Sequence, residues 1–172
     1  MEYIKDGIIL EQTEIVIKKT IDNINTVTYN PSHDMLLEDG WSVYIPSDEL
    51  LLQQAKDDMI KNIMEYDSSD SVNIFYIQNL PVWLDKDTRA GLKLRFEAEI
   101  ASGQTETSLW YNNMQFPLSL ENAIKMLYAI EIYASQCYDN THKHIANINS
   151  FTTIAEINSY DYTLDYPDKL YF

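Results

Sequence analysis

Residues 119–148 read SLENAIKMLYAIEIYASQCYDNTHKHIANI, and this stretch decides the fold of the chain. Its apolar residues recur every three or four positions, a spacing that places side chains on one face of an α-helix. Ser119 is suited to cap the first turn. A helix of about thirty residues spans roughly 45 Å. We expect it to form either the spine of a domain core or part of a helical self-association seam. The predicted stripe consists of Leu120, Ile124, Leu127, Ile130, Ala134, Cys137, Thr141, Ile145 and Ile148.

The segments that flank this helix carry turn and capping signals. The pair Asn112-Asn113 lies between two strand-like runs and tolerates the positive φ that a tight hairpin turn needs, so a short hairpin is expected there. Before the hairpin, residues 85–100 predict a helix with Asp85 or Asp87 as its cap. Residues 153–156, Thr-Ile-Ala-Glu, form a capping-box pattern that predicts a short last helix.

The chain before residue 71 is different in character. Residues 1–46 contain short, β-branched and partly alternating runs, which are typical of half-buried strands, and we interpret them as a β-rich attachment region. The predicted strands cover residues 13–18, 25–29 and 41–45. Residues 47–70 predict a connecting helix followed by a polar break. Residues 71–172 form a helical C-terminal domain in which the hairpin packs on the long helix and a tyrosine-rich tail follows. The expected fold class is α+β.

Composition limits the classes of function. The chain has 172 residues, 45% of them hydrophobic and 23% charged, which is ordinary globular usage. Twelve basic against 27 acidic side chains give a formal net charge of -15. Binding to nucleic acid or to an anionic membrane draws on clustered Lys and Arg, and the sequence has no basic run, so neither is expected. The N-terminus lacks the pattern of a signal peptide, and we expect synthesis and folding in a cytoplasm.

The residues that could carry chemistry do not form a recognised constellation. None of the four glycines neighbours another at a nucleotide-binding spacing. Cys137 and His144 share a face of the long helix, but His142 points elsewhere, and a zinc site usually needs four ligands. Cys137 lies in the apolar stripe, where burial raises the pKa of a thiol and leaves it inert. Acidic pairs such as Asp57-Asp58 are expected on solvated faces. We predict no catalytic, cofactor-binding or metal-ligating residue and no enzymatic activity.

The C-terminal segment from Tyr160 to Phe172 is rich in tyrosine and has no helical period, so we predict an extended tail. Aromatic side chains with a polar group are favoured at protein interfaces. The tail packs either across another subunit or back on its own domain. In the first case, truncation before Tyr160 weakens assembly more than it weakens folding. The candidate interface residues are Tyr160, Tyr162, Tyr166, Tyr171, Phe172 and Trp41.

One distinctive pattern covers about half of the chain, residues 81–169. Its residues are Trp83, Arg89, Leu92, Thr107-Ser108-Leu109-Trp110, Ala129, Tyr133-Ala134, Tyr138, Thr141, His144, Tyr160-Asp161-Tyr162 and Tyr166-Pro167. This pattern resembles a small domain of unknown function found in phage tail and fibre-region proteins, commonly at their C-terminal end. Upstream, residues 30–41 are similar to a short Pro…Leu…Gly-aromatic motif of phage tail-region proteins.

The resemblance implies a virion structural protein of a tailed bacteriophage, a fibre component or an adaptor that mounts fibres on the head or tail. It transfers no catalytic residue. The implied partners are capsid, tail or fibre subunits, together with further copies of the chain, for which a dimer is the default. The implied location is the virion, with the host cytoplasm during assembly. One alternative is a tail-fibre assembly chaperone that is absent from the mature particle. A carbohydrate-active enzyme is a third class, and its sign would be two facing carboxylates in a pocket.

Overall fold

A computed structural model describes residues 1–21 and 24–172 and confirms the α+β fold. The chain forms two compact units, Met1–Leu51 and Leu52–Phe172. The division falls inside the helix that follows Ser47, so residues 52–70 belong with 71–172 and the polar break at 67–70 does not separate units. In the described part of the chain, no helix is both long enough and apolar enough to cross a membrane.

The first unit is built from short strands and one helix. Its elements are β1 (Glu2–Lys5), β2 (Ile8–Glu11), β3 (Val16–Ile21), β4 (Ile24–Tyr29), α1 (His33–Glu38) and β5 (Ser42–Val43). Strands β2, β1 and β5 form one antiparallel sheet in that order, and β3 pairs with β4 as a separate hairpin. The predicted strand over 13–18 is wrong at its start, because Gln12–Glu14 form a 3-10 turn closed by a capping box between Glu11 and Glu14.

The core of the first unit is small and centred on one aromatic side chain. Tyr3, Ile15, Ile17 and Leu36 are buried together, and Trp41 packs against them. The Tyr3 hydroxyl lies 2.7 Å from Nδ1 of His33, which gives the buried phenol a polar partner. This core ties β1, β3 and α1 together.

The second unit is dominated by helices. Its elements are α2 (Asp48–Asp67, which begins in the first unit), β6 (Phe75–Ile77), β7 (Leu80–Val82), α3 (Lys86–Ala101), β8 (Glu106–Tyr111), β9 (Met114–Ser119), α4 (Leu120–Ser150) and α5 (Ile154–Ser159). Helix α4 confirms the predicted thirty-residue helix. Its apolar stripe is covered by α3 and by the β8–β9 hairpin, so α4 is the spine of this unit's core.

Capping side chains fix the ends of the helices as the sequence predicts. Ser119 accepts a hydrogen bond from the backbone N–H of Asn122, at 3.3 Å, and starts α4. Asp85 accepts one from the N–H of Thr88, at 2.7 Å, and this bond lowers the pKa of the Asp85 carboxyl. At α5, Thr153 and Glu156 form the complete capping box.

Two tight turns close the hairpins of the second unit. Asn112 and Asn113 have φ of 47° and 63°, the geometry expected for the predicted β8–β9 turn. The β6–β7 hairpin was not predicted, because its turn residues are Gln78 and Asn79, also at positive φ, and its second strand contains Pro81. The first strand of this hairpin begins at Phe75.

Candidate interaction surfaces

The first half of the tyrosine-rich tail packs on the second unit through His144. This side chain is 3% exposed, its Nδ1 lies 2.6 Å from the Tyr160 hydroxyl, and its Nε2 lies 3.1 Å from the carbonyl oxygen of Leu164. Each ring nitrogen thus faces a polar group of the tail. Asn140 and Asn147 donate to Leu164 and Tyr160, respectively. The histidine thereby holds two points of the tail against α4.

A second polar chain holds Tyr166. Thr141 donates to a carboxylate oxygen of Asp67 at 2.7 Å, so the Tyr166 hydroxyl, 2.8 Å away, is the donor to Thr141. Burial raises the pKa of Tyr166 and keeps it a donor at neutral pH. The rings of Tyr162 and Tyr166 both meet the ring of Tyr66 edge-on, at centroid distances of 5.7 and 5.4 Å. The tail therefore connects α2 with α4.

The end of the tail pairs with β6. The Lys169 ammonium donates to the carbonyl oxygens of Ser71 and Val72, at 2.5 and 3.1 Å, and burial lowers its pKa. Beyond it, Tyr171 forms a parallel bridge with Tyr76, and the two rings stack at 4.8 Å. The main-chain bonds of this pairing run from Tyr76 N to Leu170 O, from Phe172 N to Tyr76 O and from Gln78 N to Phe172 O.

The predicted interface residues consequently have different surroundings. Tyr160, Tyr162 and Tyr166 are half-buried on their own unit. Tyr171 and Phe172 remain exposed on one side. In the first unit, Trp41 lies on the core beside Lys5, whose ammonium is 5.9 Å from the indole and 2.9 Å from the Asp39 carboxylate. That bond lowers the pKa of Asp39. Contact of these residues with a partner stays a prediction.

The three residues that the sequence suggested for chemistry, Cys137, His142 and His144, have different surroundings. Cys137 is buried beside Val72 and Tyr133, whereas His142 is exposed with its ring 4.2 Å from that of Tyr138. His144 uses both ring nitrogens to hold the tail. Among residues 1–21 and 24–172, no group of three or more His, Cys, Asp or Glu side chains is placed to hold a metal ion.

The surroundings of Cys137 give a direct prediction. Burial raises the pKa of its thiol, and only the thiolate reacts with alkylating agents. At neutral pH, we expect iodoacetamide to modify Cys137 of the folded protein at least about tenfold more slowly than Cys137 of the urea-unfolded chain. Mass spectrometry of timed reactions measures both rates. Equal rates in the folded and unfolded chains would contradict the buried position.

Each unit also exposes apolar side chains that the sequence interpretation left out. On the first unit, the register pairs Val16 with Tyr29 and Lys18 with Val27, so Val16, Val27 and Tyr29 share one face of the β3–β4 hairpin. All three are exposed, Tyr29 to 73%. The signal in the sequence was the alternation of apolar and polar residues in β4, which predicts a strand with one buried face. In the structure, no residue of β4 is buried, so this face is open to solvent.

On the second unit, α4 carries exposed apolar residues on the face opposite its buried stripe. Tyr128 and Ile132 form this α4 outer face, and Ile132 is 61% exposed. A surface helix ordinarily has polar residues there. These apolar residues lie outside the stripe of apolar positions, spaced by three or four residues, that identifies the helix. Their presence off that stripe was the signal in the sequence for an exposed apolar face.

A groove runs between α3 and α4. Three adjoining cavities of about 340, 290 and 250 Å³ share Lys86 and Arg89 as lining residues. The Arg89 side chain is only 9% exposed, and its Nε lies 2.8 Å from the Glu131 carboxylate. Its Nη1 donates to the carbonyl oxygen of Leu84 at 2.7 Å. The α3–α4 groove is defined by Lys86, Arg89, Lys93, Tyr128, Glu131 and Tyr138.

Comparison of the whole chain with known protein families, with curated proteins and with solved structures found no match to any of them.

Proposed function

We propose that this chain is a structural protein of a tailed bacteriophage particle, a fibre component or an adaptor that mounts fibres on the head or tail. It acts by protein–protein contact and not by catalysis. The observation that carries the proposal is that each compact unit exposes its own apolar surface, the β3–β4 hairpin on the first and the α4 outer face on the second. Two separate surfaces suit a protein that joins two partners.

The chemistry of these surfaces supports contact with proteins. Exposed apolar side chains that cluster on one face mark interaction sites, and aromatic residues are enriched in them. The hairpin has free outer edges on β3 and β4, in the pairings that the structure describes, and such edges can add a strand to a neighbouring sheet. A stable contact buries about 800 Å² on each side. Either face can form the apolar centre of a contact of that size.

The phage setting is supported by the resemblance of residues 81–169. Members of that pattern hold the second unit together: Arg89 lies 5.8 Å from the Trp83 ring, and Thr141 and His144 bind the tail. Under this proposal the partners are capsid, tail or fibre subunits, with a homodimer as the default assembly and neither nucleic acid nor membrane as a partner. The protein resides in the virion after assembly in the host cytoplasm.

Mass spectrometry of purified particles tests the setting. Stoichiometric presence of the chain supports a structural component. A chain that is required for fibre attachment but absent from the particle would favour the assembly chaperone instead. Particles that form with complete fibres in the absence of the chain would contradict both.

A substitution on the α4 outer face tests the mode of action. We expect Ile132→Lys to lower incorporation into particles about tenfold, because a charge opposes burial of this face in a contact. The matched control is Leu94→Lys on α3, which changes an equally exposed apolar residue of the same unit outside this face. Both variants should keep the thermal stability of the parent, within about 0.5 kcal/mol. Normal incorporation of Ile132→Lys would exclude the α4 outer face as a contact.

A further inference from the structure

We propose that the outer edge of β4 pairs with the same edge of a second copy of this chain, antiparallel and with Val27 at the two-fold axis. The two hairpins then form one four-stranded sheet. The inference rests on the proposed assembly of copies in a structural protein and names the strand that joins them.

The β3–β4 hairpin has few neighbours of its own. In the pairings that the structure describes, β4 bonds only to β3. Five of the six residues of β4 are exposed, and none is buried. A two-stranded hairpin alone is marginally stable in water, and three or more strands are needed for independent stability. A strand added at a free edge therefore stabilises the hairpin as well as joining two molecules.

The two outer edges of the hairpin differ in chemistry. Strand β3 carries Lys18 and Lys19, and charged side chains, lysine above all, are a usual means of preventing edge-to-edge pairing. Strand β4, which reads INTVTY from Ile24 to Tyr29, has no charged residue and no proline. Its β-branched and aromatic residues have high strand propensity. The β4 edge is therefore the one that remains open to a further strand.

The choice of a second copy as the occupant follows from charge. The whole chain has a net charge of -15, so two copies repel each other over most of their surface. From residue 15 to residue 29 the sequence has two lysines and a single acidic residue, Asp22, so this stretch carries a small net positive charge. Two copies therefore approach each other with least repulsion at this hairpin, whereas a basic partner would be attracted to the acidic surface elsewhere.

Symmetry decides which residues meet at the β4 edge. A two-fold axis perpendicular to the sheet keeps the same face of both hairpins on one side, so the residue at the axis lies opposite itself. Thr26 and Val27 are the central residues of β4, and Val27 shares its face with Val16 and Tyr29. With Val27 at the axis, Asn25 lies opposite Tyr29 and the two apolar faces become one continuous surface. The five paired residues give about four to six main-chain hydrogen bonds.

Sedimentation equilibrium of the full chain tests the inference. We expect a reversible monomer–dimer equilibrium at protein concentrations up to about 100 µM, since the contact has a modest area. Added salt screens the repulsion between two acidic copies, so the dimer should become tighter as NaCl increases from about 50 to 500 mM. A chain that stays monomeric under all these conditions would overturn the inference, as would a dimer that salt weakens.

Two matched substitutions on one face of the hairpin locate the contact. Val27→Glu places two glutamates opposite each other at the axis, whereas Val16→Glu adds the same charge on β3. The two valines are 47% and 42% exposed, and Lys18 lies opposite position 27 within the hairpin, where it supports the new glutamate. We expect Val27→Glu to weaken the dimer at least about fivefold and Val16→Glu to leave it within about twofold of the parent. Equal effects of the two variants would contradict a contact at β4.

A cysteine at position 27 tests the register directly. Val27→Cys brings two thiols together at the axis, and diamide should oxidise them to an intermolecular disulfide, whereas Val16→Cys should stay largely unlinked. Cys137 is buried and is present in both variants. Cross-linking to the same extent at the two positions would count against the two-fold pairing.

The α4 outer face is the competing site for a second copy. A dimer that Ile132→Lys breaks and Val27→Glu leaves intact would place the second copy there and overturn the inference. The particle experiments are independent of these measurements. A chain that is stoichiometric in virions but monomeric in solution contradicts the inference alone, whereas a dimeric chain that is absent from particles contradicts the proposed function alone.

Discussion

Removal of residues 160–172 is expected to unfold the second unit. The deletion takes away Tyr160, Leu164 and Tyr166, so the buried ring of His144 loses its tail partners and Thr141 loses one of its two hydrogen bonds. Each buried polar group left unsatisfied costs about 1–3 kcal/mol. The deletion also uncovers the apolar residues beneath Leu170, which packs against both core clusters of this unit. The sum is on the order of 5 kcal/mol or more, comparable to the whole stability of a small domain.

Urea unfolding followed by circular dichroism measures this effect on the chain ending at residue 159. The control is Tyr171→Ala in the full chain, which alters an exposed tail residue and should cost about 1 kcal/mol or less. Because the tail packs on its own unit, we expect its removal to weaken folding; whether it weakens assembly more stays a prediction. A truncated chain as stable as the parent would contradict a role of the tail in folding.

Phe96→Ala is expected to destabilise the second unit by about 3–5 kcal/mol. Phe96 is 0% exposed and lies in the cluster formed by α3, α4 and the β8–β9 hairpin, together with Leu109, Phe116 and Leu127. The substitution removes most of an aromatic ring and leaves a cavity that the surrounding helices and hairpin can fill only in part. Differential scanning calorimetry and urea unfolding of the variant measure the loss.

The neighbouring residue Leu94 provides the matched control. Leu94→Ala also removes an apolar side chain from α3, but this one is 70% exposed, so the change should stay within about 0.5 kcal/mol. Similar losses for the two variants would mean that helix propensity, and not core packing, decides the stability of α3.

The elements that the sequence predicted correctly are those specified by local chemistry. Ser119 and Asp85 cap their helices through side-chain bonds to residues three positions later, and in the capping box Thr153 and Glu156 each accept a hydrogen bond from the other's backbone N–H. The Asn112-Asn113 turn needs only positive φ, which asparagine supplies. Such signals act within one turn of the chain, so a single sequence contains them in full.

The elements that were missed depend on distant partners. His144 is polar and would ordinarily face solvent, but Tyr160 and the Leu164 carbonyl satisfy it in the interior. Strand β7 contains Pro81 and pairs with β6, whose other edge is covered by the tail. Neither arrangement produces a periodic pattern of apolar residues that the sequence would reveal. The packing of α2 on the second unit is of the same kind, since Tyr66 contacts the cluster of Val72, Tyr133 and Cys137.

The candidate surfaces follow the same division. The tail was identified from its tyrosines, but the hydroxyl groups that suggested an interface are largely used within the unit. The α4 outer face and the α3–α4 groove arise where helices meet or remain uncovered, and they involve residues that a search for buried periodicity passes over. Tyr128, Ile132 and Arg89 could be identified as surface candidates only from their neighbours in the structure.

The pairing of the tail with β6 governs how the second unit acquires its structure. The bond from Lys169 to Val72 joins positions 97 residues apart, so a long loop must close before the β6–β7 hairpin has a neighbour on its outer edge. A two-stranded hairpin alone is marginal in water. Contacts of such high sequence separation slow folding. Although helices make up most of this unit, its refolding should be paced by chain closure instead of by helix formation.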